Sequence, residues 1–345
     1  MINVGIVGAT GYTGIELLRL LSGHDAVELK VVTSNSEKGK SVAAVFPGLR
    51  SHIDLEFVEH GSKQLESCDI VFFATPHATA MHYVQNLLNQ NCKIIDLSAD
   101  FRITNPSIWE QWYQEKHACP ELLDIAVYGL PELNRSQIKD ARLVANPGCY
   151  PTAITLALLP LIEHGLIDPE DIIADAKSGV SGAGRKAALA TQFTEISESF
   201  KAYSVAGHRH LPEIIQTLTN VNSGSSVNLT FVPHLVPMNR GIFATIYVKS
   251  INQSLELQKY YTAYYAEEQF VDVMPEGSHP DTVSVRATNL CRISVHPAKN
   301  KSQPTVILSV IDNLVKGAAG QAIQNMNIML GLEESTGLVI PAFIP

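Results

Sequence analysis

The feature that most constrains the fold lies at the amino end. The apolar run Ile2–Val7 breaks into Gly8-Ala9-Thr10-Gly11-Tyr12-Thr13-Gly14, and apolar residues then return at helical spacing through Ile15, Leu18 and Leu21. This reads as strand, glycine turn, helix. Backbone N–H groups and the dipole at such a helix start can hold a pyrophosphate without any charged side chain. Gly8, Thr10, Gly11, Tyr12, Thr13 and Gly14 are therefore candidate dinucleotide contacts. The spacing is G-x-x-G-x-x-G rather than G-x-G-x-x-G, which leaves the enzyme class open. A packing turn that holds nothing is the plain alternative.

Strand-like runs follow at Val27 to Thr33, Ile70 to Ala74 and Lys93 to Leu97, separated by segments such as Ala78 to Asn89 that suit helices. This alternation predicts a doubly wound α/β domain with a parallel sheet. Punctuation is strong at Asn146-Pro147-Gly148. Beyond it, strand candidates at Asn228 to Val232, Ile242 to Lys249, Cys291 to His296 and Thr305 to Val310 predict an α+β domain on a largely antiparallel sheet. Asp312 to Leu330 has helical apolar spacing, with Asp312 as N-cap. At 345 residues the chain has room for two such domains.

Charge excludes whole classes of partner. Lys and Arg total 25 against 34 Asp and Glu, a formal charge of −9, which offers no footprint for nucleic acid or anionic lipid. The most continuous apolar stretch, Ala153 to Ile162, contains Thr155 and Pro160 and falls short of the roughly 20 residues that span a bilayer. No leader segment is expected, because Met1 runs directly into a strand. The five cysteines are odd in number, widely spaced and never form C-x-x-C, which points to no disulfide framework, no metal site and a reducing cytoplasm.

The second strand ends in Thr33-Ser34-Asn35-Ser36-Glu37-Lys38-Gly39-Lys40, without the acidic residue that usually meets an NAD ribose. Hydroxyls of Ser34 and Ser36 and the ammonium of Lys38 suit a 2'-phosphate, so NADP(H) is the expected cofactor. Among the thiols Cys149 stands apart, in Asn146-Pro147-Gly148-Cys149-Tyr150-Pro151-Thr152 just before an apolar helix, where a helix start favours a nucleophilic thiolate. Cys68, Cys92, Cys119 and Cys291 read as small core residues. In His208-Arg209-His210 either imidazole is placed to serve Cys149 as acid and base; half a metal site is the discarded alternative, for want of further ligands. Ser178 to Gly184 is rich in small residues and ends in Arg185, whose fork suits a carboxylate or phosphate. Arg102 follows the end of a parallel strand, where ligands collect, and Arg240 beside Gly241 is a weaker anion candidate.

Together, G-A-T-G-Y-T-G at 8–14, D-L-S-A-D-F-R at 96–102, N-P-G-C-Y-P-T at 146–152, S-G-V-S-G-A-G-R at 178–185, H-R-H-L-P-E at 208–213 and D-N-L-V-K-G-A-A at 312–319 resemble the N-acetyl-gamma-glutamyl-phosphate reductases over nearly the whole chain. The cysteine and H-R-H motifs are specific to that family; the glycine turn is shared with the aspartate-semialdehyde dehydrogenases. The resemblance implies a Rossmann domain of residues 1–148 with 312–345 and a catalytic and dimerisation domain of residues 149–311, in a homodimer or homotetramer. It implies NADPH-dependent reduction of the acyl phosphate N-acetyl-L-glutamyl 5-phosphate to the semialdehyde through a Cys149 thioester, a step of arginine biosynthesis. His208 would be the acid, with His210 the alternative and Glu213 orienting it. Ser98, Arg102, Asn146, Arg185 and Arg240 would contact substrate. Ser178, Gly179, Ser181, Gly182 and Asn313 would lie along the nicotinamide. A reductase of aminoadipyl or aspartyl phosphate would use the same chemistry. A non-catalytic NADPH-binding regulator is the alternative from another class, and the joint presence of Cys149, His208 and two arginines argues against it.

Overall fold

The computed structural model describes residues 1–251 and 256–343. The chain divides into two compact units: Met1–Pro147 with Ala318–Val339, and Gly148–Gly317 with the described residues from Ile340 onward. No helix among the described residues is long and apolar enough to cross a membrane.

In the first unit, β1 (Ile2–Val7), β2 (Val27–Thr33), β3 (Phe57–Val58), β4 (Ile70–Phe73), β5 (Lys93–Asp96), β6 (Val127–Tyr128) and β7 (Leu143–Ala145) form one sheet in the order β3-β2-β1-β4-β5-β7-β6. Every pair is parallel. Its central strand β4 is apolar throughout, with Ile70, Val71, Phe72 and Phe73 all fully buried, as a parallel sheet covered on both faces demands. Strand order reverses between β1 and β4, so the loop after β1 opens at a topological switch point.

That loop is the glycine turn. Gly8 adopts φ +84°, and a Cβ there would lie 2.6 Å from the Ala74 carbonyl oxygen. A Cβ on Gly14 would lie 2.6 Å from Ala9 Cα and from the Gly8 oxygen, so the helix Tyr12–Leu21 packs onto the turn at a distance only glycine permits. Gly11, the N-cap, has nothing nearer than 3.8 Å to its missing Cβ. The turn is tied on both sides: Ala9 donates to the Thr33 carbonyl and Ala74 to the Val7 carbonyl.

The expected helix over 78–89 is a 3-10 turn at Ala80–His82 and a short helix at Val84–Asn89. Ala78 takes φ +60°, outside the helical region, and the Asp100 carboxylate accepts the N–H groups of Ala78 and Met81 in that turn. The expected single helix over 312–330 also differs. Asp312 Oδ1 accepts from the N–H groups of Leu314 and Val315, as an N-cap would, but Val315–Ala319 winds as a π-turn before the α-helix Gly320–Met329 begins. The division between units falls at Gly317, so Asp312–Gly317 groups with the second unit rather than the first, because it continues directly from a strand of that unit's sheet. Ile344 and Pro345, part of the expected C-terminal segment, lie outside the described residues.

The helix Gly320–Met329 is wholly buried in the first unit although it carries Gln321, Gln324, Asn325 and Asn327. The amide N–H groups of three of them find partners: Asn325 donates to the Gly129 carbonyl (2.8 Å) and the Asn146 side chain (3.1 Å), Asn327 to the Glu334 and Thr336 carbonyls, and Gln324 to Glu334.

In the second unit, β8 (Ile167–Gly179), β9 (Lys201–Ala202), β10 (Leu229–Val236), β11 (Ile242–Ser250), β12 (Val271–Val273), β13 (Cys291–His296) and β14 (Thr305–Ile311) form a mixed sheet, β12-β13-β14-β11-β8-β10-β9. Four of its six pairings are antiparallel; β10 with β8 and β12 with β13 are parallel. The helix Cys149–Glu163 lies buried against β8, β11 and β14. Pro160 within it lacks the N–H that would pair with the Leu156 carbonyl, and the Tyr265 hydroxyl donates to that carbonyl instead, while Tyr261 serves Ala157 (2.6 Å). The hydroxyls keep the helix continuous through its proline.

Gly14→Ala is expected to destabilise the protein by about 1–3 kcal/mol through overpacking, whereas Gly11→Ala costs less than about 1 kcal/mol. Chemical denaturation checks the ranking, and equal effects would contradict the packing argument.

Candidate active site

Cys149 is the first residue of its helix, with Gly148 as N-cap at φ −70°, ψ 162°. A glycine cap has no side chain to give, yet two strong interactions fix this start. The Gly148 carbonyl accepts from both the N–H (3.0 Å) and the hydroxyl (2.9 Å) of Thr152, and the Gly148 N–H donates to Glu213 Oε1 at 2.8 Å. Glu213 is 1% exposed. Cys149 itself is half-buried, whereas the other four cysteines are buried, as expected of core thiols. Burial pushes Cys68 and Cys119 up to about 12, so neither is a nucleophile at neutral pH. A Cβ added to Gly317 in the π-turn would come 2.8 Å from Cys149 Cβ.

His208 packs on the residue that follows Cys149. Its ring lies edge-on 5.6 Å from that of Tyr150, the residue after Cys149, and is ringed by Tyr203 (5.5 Å), Phe231 (5.5 Å) and His210 (4.8 Å). This aromatic enclosure, with the Arg209 charge as a second cause, lowers His208 to about 4. The ring is neutral at pH 7. Its Nδ1 accepts the His210 backbone N–H at 3.0 Å, which assigns the remaining proton to Nε2. Tyr203 donates to the Tyr150 hydroxyl and Tyr150 to the His234 carbonyl, each at 3.2 Å. Tyr150 and Gly317 sit inside motifs visible in the sequence and Phe231 inside an expected strand; Tyr203 carried no local signal.

The glycine-rich segment after β8 is also built into the second unit. Gly179 packs on the backbone of Asn239 and Arg240, with a missing Cβ 2.8 Å away from each, and Val180 and Ser181 donate to the Met238 and Asn239 carbonyls. Asn313 bridges it, donating to Ser181 Oγ (2.9 Å) and accepting from Gly241 N (2.7 Å). Gly182 lies against Ser178 Oγ. Ser178, Gly179, Ser181, Gly182 and Asn313 thus form one surface. Arg240 pairs with buried Asp312 at 3.4 Å, and Arg185 is exposed.

In the first unit, the turn residues satisfy what a dinucleotide needs: a close-packed Gly8 and Gly14, an open Gly11, and a helix start that no described side chain caps. Hydroxyls line up beside it, Thr10 on Ser34 at 3.0 Å and Ser34 on Ser36 at 3.3 Å. Lys38 pairs with Glu59, and Lys40 with Glu37. Such exposed pairs are worth about 0–1 kcal/mol, little enough for a phosphate dianion to displace Glu59. Tyr12 and Thr13 open the helix.

Of the three expected substrate contacts in this unit, Arg102 and Asn146 fix the segment at Asn146, and Ser98 closes its own turn after β5. Ser98 gives its N–H (2.9 Å) and hydroxyl (2.8 Å) to Asp96, whose carboxyl is raised by burial and by the neighbouring Asp100 charge. Arg102 is 5% exposed and donates to the carbonyls of Asn146 (2.7 Å) and Leu97 (2.8 Å). The Asn146 side chain donates to the Ala318 carbonyl at 3.2 Å and accepts from Asn325.

Comparison with known proteins agrees with this construction. The family model described as semialdehyde dehydrogenase, NAD binding domain, matches residues 3–141, and that described as semialdehyde dehydrogenase, dimerisation domain, matches residues 149–313. The N-acetyl-gamma-glutamyl-phosphate reductase of Nitrosococcus oceani is 59% identical, covering 100% of both chains, and that of Nitrosospira multiformis is 57% identical over 99% of this chain and 100% of its own. Among solved structures, aspartate semialdehyde dehydrogenase II from Vibrio cholerae superposes with a TM-score of 0.74 at 16% identity, covering 96% of this chain and 98% of that one. The Candida albicans enzyme gives 0.71 at 15%, with the same coverage. These two show the fold. The full-length relatives show the family: the chain belongs to the N-acetyl-gamma-glutamyl-phosphate reductases, within the semialdehyde dehydrogenases.

Proposed function

We infer that Cys149 is the nucleophile through which this chain reduces its acyl phosphate. The reaction of the family is NADP(H)-dependent reduction of N-acetyl-L-glutamyl 5-phosphate to N-acetyl-L-glutamate 5-semialdehyde and phosphate, in arginine biosynthesis. The observation that carries the assignment is the position of the one half-buried thiol at a helix start, with an enclosed neutral imidazole packed on the ring of the next residue, Tyr150.

In this reading the Cys149 sulfur attacks the acyl carbon, and the tetrahedral oxyanion is held by backbone N–H groups of the first helical turn. Gly148 gives its N–H to Glu213 and Pro151 has none, so neither of these two residues supplies an oxyanion donor. Phosphate departs and leaves a thioester on Sγ. NADPH, when bound, supplies the hydride. His208 presents its Nε2–H to the alkoxide oxygen that hydride addition forms, and as that oxygen re-forms the carbonyl the C–S bond breaks, freeing the aldehyde and the Cys149 thiolate. Gly8, Thr10, Gly11, Tyr12, Thr13 and Gly14 hold the pyrophosphate, and Ser34, Ser36 and Lys38 the 2'-phosphate. The surface of Ser178, Gly179, Ser181, Gly182 and Asn313 takes the nicotinamide end. Arg185 and Arg240 are the proposed anion contacts of the second unit; Ser98, Arg102 and Asn146 are the proposed substrate contacts of the first. A homodimer or homotetramer follows the dimerisation model, and five unbridged thiols fit the cytoplasm.

Cys149→Ser is expected to lower turnover by several orders of magnitude, of the size seen when a covalent nucleophile is removed, while NADPH affinity changes little. Assays with N-acetyl-glutamate semialdehyde, phosphate and NADP+ check both; near-normal turnover would refute the thioester route.

His208 sits near 4 in the folded protein and at 6.5 as a free side chain, so the unfolded chain takes up its proton first as pH falls. The stability this provides is intact above pH 6.5 and is lost as pH falls through 4, by up to about 3 kcal/mol. His208→Asn should therefore flatten the fall of Tm between pH 6.5 and 4. An unchanged slope would mean that the ring is not held neutral.

A further inference from the structure

We propose that Glu213 is a positioning residue that holds the nucleophile through the Gly148 backbone, a role resting on the reading of Cys149 above. A helix N-terminus is normally closed by a side chain at the N-cap and by a Glu or Gln at the third helical position, which reaches back to the N-cap N–H. The helix Cys149–Glu163 has neither: its N-cap is Gly148, and its third residue is Pro151. A second helix supplies the missing group. Glu213 stands third in the helix Leu211–Val221, where that helix's dipole favours a carboxylate, and its Oε1 accepts the Gly148 N–H at 2.8 Å.

The two helices pack together, and both partners of this bond are buried, so no water is on hand to replace a lost acceptor. Gly317 leaves no room for even a methyl group against Cys149 Cβ. Glu213 and Gly317 therefore both confine the nucleophile. The bond also decides which amides serve the oxyanion, by taking the Gly148 N–H out of that set. This role is separate from the expectation that Glu213 orients His208.

The two roles separate by substitution. A glutamine keeps an oxygen that can accept the Gly148 N–H and loses only the charge; an alanine loses both. Three readouts on the full-length protein are needed: iodoacetamide alkylation of Cys149 followed by peptide mass, kcat in the semialdehyde direction, and Tm. Relative to the parent, Glu213→Ala should slow alkylation and lower kcat by about tenfold or more, the scale of one unsatisfied buried group, and Glu213→Gln should change each by less than about threefold. If Glu213→Gln loses as much kcat as Glu213→Ala while both alkylate like the parent, the carboxylate acts by its charge and the proposal is overturned. Should Glu213→Ala fail to fold, a folded Glu213→Gln with a tenfold loss of alkylation overturns it equally. Parent protein in which iodoacetamide spares Cys149 would instead remove the nucleophile assignment itself.

Discussion

Burial of the helix Cys149–Glu163 governs the chemistry of this protein. Thirteen of its fifteen residues, Tyr150 through Ile162, are buried, and it packs on three strands of the mixed sheet. A helix held along its whole length by such contacts cannot slide or rotate, because a one-residue shift would expose several leucines at about 1.5–3 kcal/mol each. Its first residue is therefore placed by packing far from the reacting atoms. The nucleophile inherits rigidity from the core, and the polar work at its end reduces to one carboxylate, one threonine and one glycine.

Charge at the site is arranged by enclosure rather than by ion pairs. His208 is neutral because aromatic rings replace water around it, and a neutral imidazole with Nδ1 already engaged is an N–H donor. In the first unit the same economy appears at the glycine turn, where backbone amides and hydroxyls of Thr10, Ser34 and Ser36 stand where other proteins place charged groups. A net charge of −9 on the whole chain is compatible with binding anions for this reason: the donors are local dipoles and a few arginines, and they do not require a positive surface.

Much of the scaffold was legible in the sequence because it is written in local periodicity. Val27–Thr33 and Cys291–His296 are strands with the bounds the pattern indicates, and the parallel and mixed sheets follow from them. The strand Ile167–Gly179 escaped notice, although it is central to its sheet. Its first half, Asp168-Pro169-Glu170-Asp171, reads as a loop, and its pairing partners lie more than 50 residues away, at β10 and β11. Cys149 and His208 were visible as motifs. Their environment was not, since Tyr203, Phe231 and Gly317 reach them from distant segments, and the Gly148 to Glu213 bond spans 65 residues. The π-turn at Val315–Ala319 was hidden because helical apolar spacing is satisfied there too.

The central claim is that the acyl group rests on Cys149. Its most direct test is to mix the enzyme with N-acetyl-L-glutamyl 5-phosphate in the absence of NADPH, quench in acid, and measure released phosphate together with the mass of the peptide that contains Cys149. The account predicts a stoichiometric burst of phosphate and an N-acetylglutamyl adduct on that peptide, discharged as semialdehyde when NADPH is added before the quench. Phosphate release with no adduct, or an adduct on any other residue, would contradict it.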